Sequence, residues 1–357
     1  MKTQAAIAHA SDKPFVIEEV ELNDPGEGEV RVKIAACGIC RSDLSALDGK
    51  ETVEFPVVLG HEAAGIIEAI GAGVTTLKEG DDVILSWTPE CGICSGCMRG
   101  EVHLCSGINM TTGSQGPLSL GGIPLDRFMG LGAFSEHVVV PQSMAVRVVS
   151  TLPVEHACLI GCGVTTGFGA AVNTAAVRWG ETVAVLGCGG VGLAAIQGAR
   201  IAGASRIFAI DPIEQRRIVA GQVGATVTLS PVDVVPLVRA MTVAGVDCAI
   251  ECVGSIATMQ DAFNMIRDGG RAIVVGLPAY TDLLDIPAIM LLREKKLSGS
   301  IYGSCSPHRD FAKIAALGES GKLNFARLVD KTRPFAEINE GFAEMRAGSF
   351  TRVVLKF

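Results

Sequence analysis

At 357 residues the chain has room for two domains of ordinary size, and 48% hydrophobic with 19% charged residues describes a folded globular protein, not a disordered one. The net charge of −8 is modest and carries no basic block, so nothing draws in nucleic acid or an anionic membrane, and a small molecule is the expected partner. No charged-then-apolar leader precedes the strand-like Ala5-Ala6-Ile7-Ala8, and the apolar stretches elsewhere are broken by Gly or charge, so a cytoplasmic location is expected. In that setting, twelve cysteines point to metal binding before disulfides.

Residues 1–160 are dense in Gly, Pro and short β-branched runs, such as Glu29 to Ile34 and His137 to Val140, which predict a mostly β region. Within it, Cys91, Cys94, Cys97 and Cys105 place four thiols in fifteen residues of Gly-rich chain. This spacing suits a closed tetrahedral zinc site better than an iron–sulfur cluster or a disulfide pair, and a closed site serves to fix a lobe. From Met110 to Phe128 the Gly-rich, charge-poor sequence predicts an irregular surface loop. A catalytic zinc needs three protein ligands and an open position. Cys37-Gly38-Ile39-Cys40-Arg41-Ser42-Asp43, Gly60-His61-Glu62 and Gly161-Cys162-Gly163 are three segments able to supply them, although a cysteine alone is usually buried packing and a histidine alone usually a satisfied polar residue.

From 164 to 301, apolar strands alternate with helical stretches, which implies a parallel sheet with helices on its faces. Gly187-Cys188-Gly189-Gly190-Val191-Gly192 follows the strand Val183 to Leu186 and opens a helix, as a dinucleotide-binding turn requires. Asp211 ends the next strand, nineteen residues after Gly192, where a carboxylate binds ribose hydroxyls and repels the extra phosphate of NADP, which favours NAD. Arg216 either contacts the adenosine ribose or is a solvated helix charge. Two further strands, ending at Val253-Gly254 and Val275-Gly276, are expected at the nicotinamide half. The tail carries helices over Phe311 to Ser320 and Ile338 to Arg346 and a closing strand, Thr351 to Phe357, expected to return to the first domain.

Taken in order, Gly-x-Cys-Arg-Ser-Asp, Gly-His-Glu, the four-cysteine lobe, Gly-Cys-Gly-x-x-Thr-Gly and Gly-x-Gly-Gly-Val-Gly followed by Asp resemble the zinc-containing medium-chain alcohol dehydrogenases over the whole chain. The nearest likeness is to the branch of liver-type and thiol-dependent formaldehyde dehydrogenases. The resemblance implies an α/β molecule, with a Rossmann doubly wound parallel sheet at 164–301 and a mostly β, GroES-like catalytic domain from 1–163 and 302–357. It implies NAD and two zinc ions per subunit. Cys40, His61 and Cys162 would hold the catalytic ion and Cys91, Cys94, Cys97 and Cys105 the structural one, while Cys37 is a packing residue. Ser42 would pass the alcohol's proton outward, Asp43 would orient the histidine, and Glu62 would lie near the metal. Arg41 and Arg352 would reach the pyrophosphate, and Thr166 would lie behind the nicotinamide. Gly187, Gly189, Gly190, Val191, Gly192, Asp211, Arg216, Val253, Val275, Leu277 and Ile301 would complete the cofactor site.

The liver-type proton relay ends in a histidine where this chain has Ser45, so Ser42, a ribose hydroxyl and either Ser45 or water are expected to carry the proton, with a shifted pH profile. By the same likeness Trp87, Met110, Phe128, Met129, Leu277 and Ile301 line the substrate channel, an apolar set suited to primary alcohols with aromatic or chain-like tails. A rival expectation is oxidation of a hydroxymethyl-thiol adduct, for which Glu51 and Glu54 would meet charged thiol groups. A non-catalytic zinc and nucleotide sensor is a more distant one. The segment Leu297 to Gly303 resembles the edge strand that extends the sheet across a homodimer, with a tetramer open.

Overall fold

The computed structural model describes residues 1–51, 53–108, 116–348 and 352–357. It divides into two units, Met1–Cys162 with Ser306–Phe357, and Gly163–Cys305. These boundaries correct the expected ones by a few residues. Gly163 already begins the helix Gly163–Gly169, and Gly303 packs so tightly on that helix that a Cβ there would lie 2.4 Å from the Thr165 carbonyl. Residues 302–305 therefore belong with the second unit.

The first unit is built on two sheets. In the strand Glu29–Gly38, Val30, Val32, Ile34 and Ala36 are buried on one face, the period-2 pattern of a sheet packed on a core. The closing strand Val353–Lys356 pairs antiparallel with it, Val354 opposite Gly38, and Lys331–Pro334 runs parallel beside Val353–Lys356. In the other sheet Val57–Val58 lies between Lys2–Ala8 and Asp126–Arg127. Part of the expected irregular loop is ordered: Leu118–Leu120 and Ile123–Pro124 form a hairpin. Its turn is Gly121-Gly122, both at positive φ, which glycine adopts without steric cost. Met110 lies outside the described residues.

The second unit holds a parallel sheet. Numbered in chain order, its strands are Thr182–Leu186, Arg206–Ile210, Val227–Leu229, Val246–Glu251, Ile266–Val274 and Lys296–Gly299, and they are arranged 3-2-1-4-5-6, the dinucleotide-binding order. Val183 to Leu186 are apolar throughout and buried at every position, so both faces of the sheet are covered at this strand. Small residues bring the helix Gly190–Ile201 close to Gly163–Gly169, since a Cβ on Gly167 would stand 2.0 Å from the Val191 carbonyl. The edge strand ends at Gly299, shorter than the predicted run to Gly303, because Tyr302–Ser304 turns into a 3₁₀ helix. Among the described residues no single helix is long and apolar enough to cross a membrane.

Candidate active site and metal centres

Cys40 caps the helix Arg41–Leu47 just after the strand ending at Gly38. Asp43, three residues on, is fully buried and fixes the whole corner. Its Oδ2 accepts the Cys40 N–H at 2.9 Å, and its Oδ1 accepts the Gly60 N–H at 3.0 Å and stands 3.1 Å from His61 Nδ1. The tautomer with a proton on Nδ1 satisfies that contact and leaves Nε2 with a free lone pair. His61 Nε2 is buried and has no hydrogen-bond partner. Cys162 follows the 3₁₀ turn Cys158–Gly161, and the ligand atoms of Cys40, His61 and Cys162 lie within 4.8 Å of one another. An orphaned imidazole nitrogen facing two thiols is a donor set that fits zinc, and three ligands leave its fourth position open. Cys37 is buried in the strand and stands outside this group.

Proton sharing within the cluster points the same way. A hydrogen bond from Cys162 holds the Cys40 thiol well below its ordinary range, helped by His61 and Arg352 against burial. The same bond, together with burial, pushes Cys162 well up. Burial pulls His61 down, but Asp43 and Cys40 outweigh it and raise the imidazole. A cation displaces these protons when it binds.

Glu62 is fully buried beside the ligands, and Gly38 permits its approach, since a Cβ there would strike Glu62 Oε2 at 2.3 Å. Arg352, the expected pyrophosphate contact, is buried beside Glu62. Its Nη1 lies 2.8 Å from Glu62 Oε2 and donates to the Ile39 carbonyl at 3.0 Å. The buried carboxylate holds the guanidinium there, where it neutralises Glu62 behind the thiols. Arg41, on the first turn of the helix, remains exposed. Ser42 Oγ stands 4.0 Å from Cys40 Sγ, and Ser45 is half-buried one turn on.

Cys91, Cys94, Cys97 and Cys105 form a second cluster of the same compactness. Backbone N–H groups converge on its sulfurs: Cys97 and Ser106 donate to Cys94 Sγ, and Gly107 donates to Cys105 Sγ. The Cys97 amide, then that of Ser106, lowers Cys94 to about 5, whereas burial raises Cys97 to about 12. Amides aimed at sulfur stabilise thiolates, the form that binds a metal. Four thiolates fill a tetrahedron, so the cluster suits a structural zinc.

Of the expected substrate wall, Trp87, Phe128 and Met129 are buried in the first unit, and the Phe128 ring meets the His61 ring edge-on at 5.6 Å. Leu277 and Ile301 belong to the second unit, the former exposed and the latter half-buried.

The second unit shapes its turn for a dinucleotide. Gly187 has φ +89, and a Cβ on Gly192 would lie 1.8 Å from the Gly187 carbonyl, so both glycines serve the fold. A Cβ on Gly189 would meet nothing within 4 Å, which leaves its backbone open to an incoming phosphate at the N-terminus of the helix begun by Gly190 and Val191. Asp211 ties the turn to the next strand, Oδ2 accepting from the Cys188 N–H and Oδ1 from the Ile213 N–H, each at 2.8 Å. Arg216 is half-buried. Its neighbour Arg217, not singled out from sequence, donates through Nη1 to the carbonyls of Asp211 and Pro212. Thr166 and Val275 are half-buried and Val253 exposed. Glu251 is a further residue missed: fully buried, its Oε1 accepts from the N–H groups of Val253 and Gly254 and the Thr258 hydroxyl, which shapes the loop that carries Val253. Its only signal was an acid closing the apolar run Cys248 to Ile250 of a parallel strand.

Residues 26–150 match the alcohol dehydrogenase GroES-like domain family, and residues 190–320 the zinc-binding dehydrogenase family. Alcohol dehydrogenase 1 of Pisum sativum is 37% identical, with 100% of this chain and 97% of the relative covered. The NDMA-dependent alcohol dehydrogenase of Amycolatopsis methanolica is 39% identical, with 99% of each chain covered. Benzyl alcohol dehydrogenase of Acinetobacter calcoaceticus superposes with a TM-score of 0.94 at 32% identity, covering 100% of this chain and 99% of that one.

Proposed function

Because the chain belongs to the zinc-containing medium-chain alcohol dehydrogenases, we propose that it reversibly oxidises primary alcohols with bulky, aromatic or apolar-chain tails to aldehydes, using NAD. The observation that carries the proposal is the buried, unpartnered Nε2 of His61 facing the thiols of Cys40 and Cys162. With zinc and NAD bound, the ion supplies a Lewis acid that lowers the pKa of the alcohol hydroxyl, and the nicotinamide supplies a hydride acceptor. The chain's own residues do the rest. Asp43 fixes the tautomer and orientation of His61, and Ser42, beside Cys40, accepts the alcohol's proton as it passes its own hydroxyl proton outward. Arg352 offsets the charge of Glu62 behind the ligands. Trp87, Phe128 and Met129 give the substrate tail an apolar, water-excluding wall.

The preference for NAD over NADP rests on the carboxylate of Asp211, which its two backbone donors hold at the end of the second strand of the sheet. A homodimer formed through the edge strand Lys296–Gly299 is part of the same proposal. The test is NADH formation by the zinc-loaded protein with benzyl alcohol, hexanol, and formaldehyde with and without added thiol. Benzyl alcohol and hexanol should be the better substrates. Turnover of formaldehyde alone, dependent on a thiol, would replace this substrate class with the adduct, and no turnover in any arm would end the dehydrogenase proposal.

A further inference from the structure

The segment Asp126–Phe134 is a strap over the turn that carries His61. At one end Asp126 and Arg127 pair with Val57 and Val58. At the other, Ala133 N–H donates to the Gly60 carbonyl and Phe134 N–H to the Leu59 carbonyl, each at 2.9 Å. Between them the chain turns through left-handed backbone at Met129 (φ 53), Gly130 (φ 70) and Gly132 (φ 64). Two of these are glycines, but methionine there is strained, so something must hold it.

Arg127 meets that need. It is only 8% exposed, and among the described residues it forms no ion pair, the charge of Glu29 acting on it only from farther away. Its Nη1 donates to the Val139 carbonyl at 2.9 Å, on the neighbouring strand His137–Pro141, while Nε is buried with no partner. The side chain runs through space that two glycines leave free. A Cβ on Gly132 would lie 3.0 Å from Arg127 Cγ, and one on Gly116 would lie 2.3 Å from Nε. A buried charge satisfied by one carbonyl is a costly way to fill a gap, but it joins three pieces of chain at one point. The residue that follows it is Phe128, whose ring rests on His61.

We propose that Arg127 is a positioning residue that fixes the Phe128–Met129 wall against His61 and so sets which alcohol tails the site accepts. The inference rests on the dehydrogenase proposal for its consequence, but not for its geometry. Two measurements keep them apart: the ratio of kcat/KM for benzyl alcohol to that for ethanol, and hydrogen exchange of the 126–134 backbone. Arg127→Met should lower the ratio about tenfold, mainly through KM for benzyl alcohol, the size of effect expected when an apolar wall loosens. Exchange should rise in the strap and not elsewhere. Arg127→Lys, which keeps the charge and one donor, should recover most of the ratio. If Arg127→Met does not fold, Gly116→Ala displaces the guanidinium without removing it and should give the same two changes. A ratio within twofold of the parent in a folded variant overturns the proposal, as does exchange that rises equally across the molecule. If the parent protein turns over no alcohol, the dehydrogenase proposal fails by itself, and strap exchange alone decides whether Arg127 positions the wall.

Discussion

Gly189 and Gly192 sit three residues apart in one turn, yet they answer different demands. Gly192 is required by the protein's own backbone, whereas Gly189 faces open space, so only a ligand requires it to be glycine. Gly189→Ala should therefore melt within about 2 °C of the parent, as an unstrained surface change does, yet bind NAD at least about tenfold more weakly. Calorimetry and a binding titration check both halves, and normal NAD affinity would place the pyrophosphate elsewhere. Cys162→Ala offers a parallel test of the metal sites: zinc analysis should fall from two ions per chain to one, with activity lost and the four-cysteine lobe intact. A single ion in the parent would refute the two-site arrangement. The residues of both sites were legible because their motifs follow one another in a recognisable order. Arg127, Glu251 and the pairing of Arg352 with Glu62 were not legible, because their partners are a distant carbonyl, local amides and a carboxylate nearly three hundred residues away.

At the scale of elements, alternation and glycine spacing announced the strands and the dinucleotide turn, but not which strands meet. Nothing local in Val353–Lys356 says that it pairs with Glu29–Gly38, and the Gly121-Gly122 turn concealed a hairpin within a stretch that reads as loop. The helix Ile338–Arg346 is tied to the strand Lys331–Pro334 by charge: Glu344 accepts from Arg333 and Lys331. Hydrogen bonds from Arg333, then Lys331, hold Glu344 at about 2 against an ordinary 4.5. A depressed acid stabilises the fold above its unfolded pKa and loses that contribution as pH falls toward the folded value. Glu344→Gln should therefore melt below the parent at pH 7, and the gap should narrow as the pH drops below about 4.5. A gap that stays constant over that range would mean the ion pairs contribute nothing.

At the scale of the whole molecule, Ile289, Leu291 and Leu292 are exposed just before the edge strand Lys296–Gly299, an apolar patch beside unpaired backbone. A homodimer through that edge predicts a sedimenting mass of twice 37.1 kDa, and Leu292→Glu should shift it to the single-chain value. A parent chain that sediments as a monomer would remove the dimer. Hydride transfer itself is tested most directly with benzyl alcohol carrying deuterium in place of both hydrogens at its carbinol carbon, mixed with NAD and the zinc-loaded protein. The reduced cofactor should carry one deuterium at C4 of the nicotinamide. Reduced cofactor without deuterium, or none at all, would contradict direct transfer at the site of Cys40, His61 and Cys162.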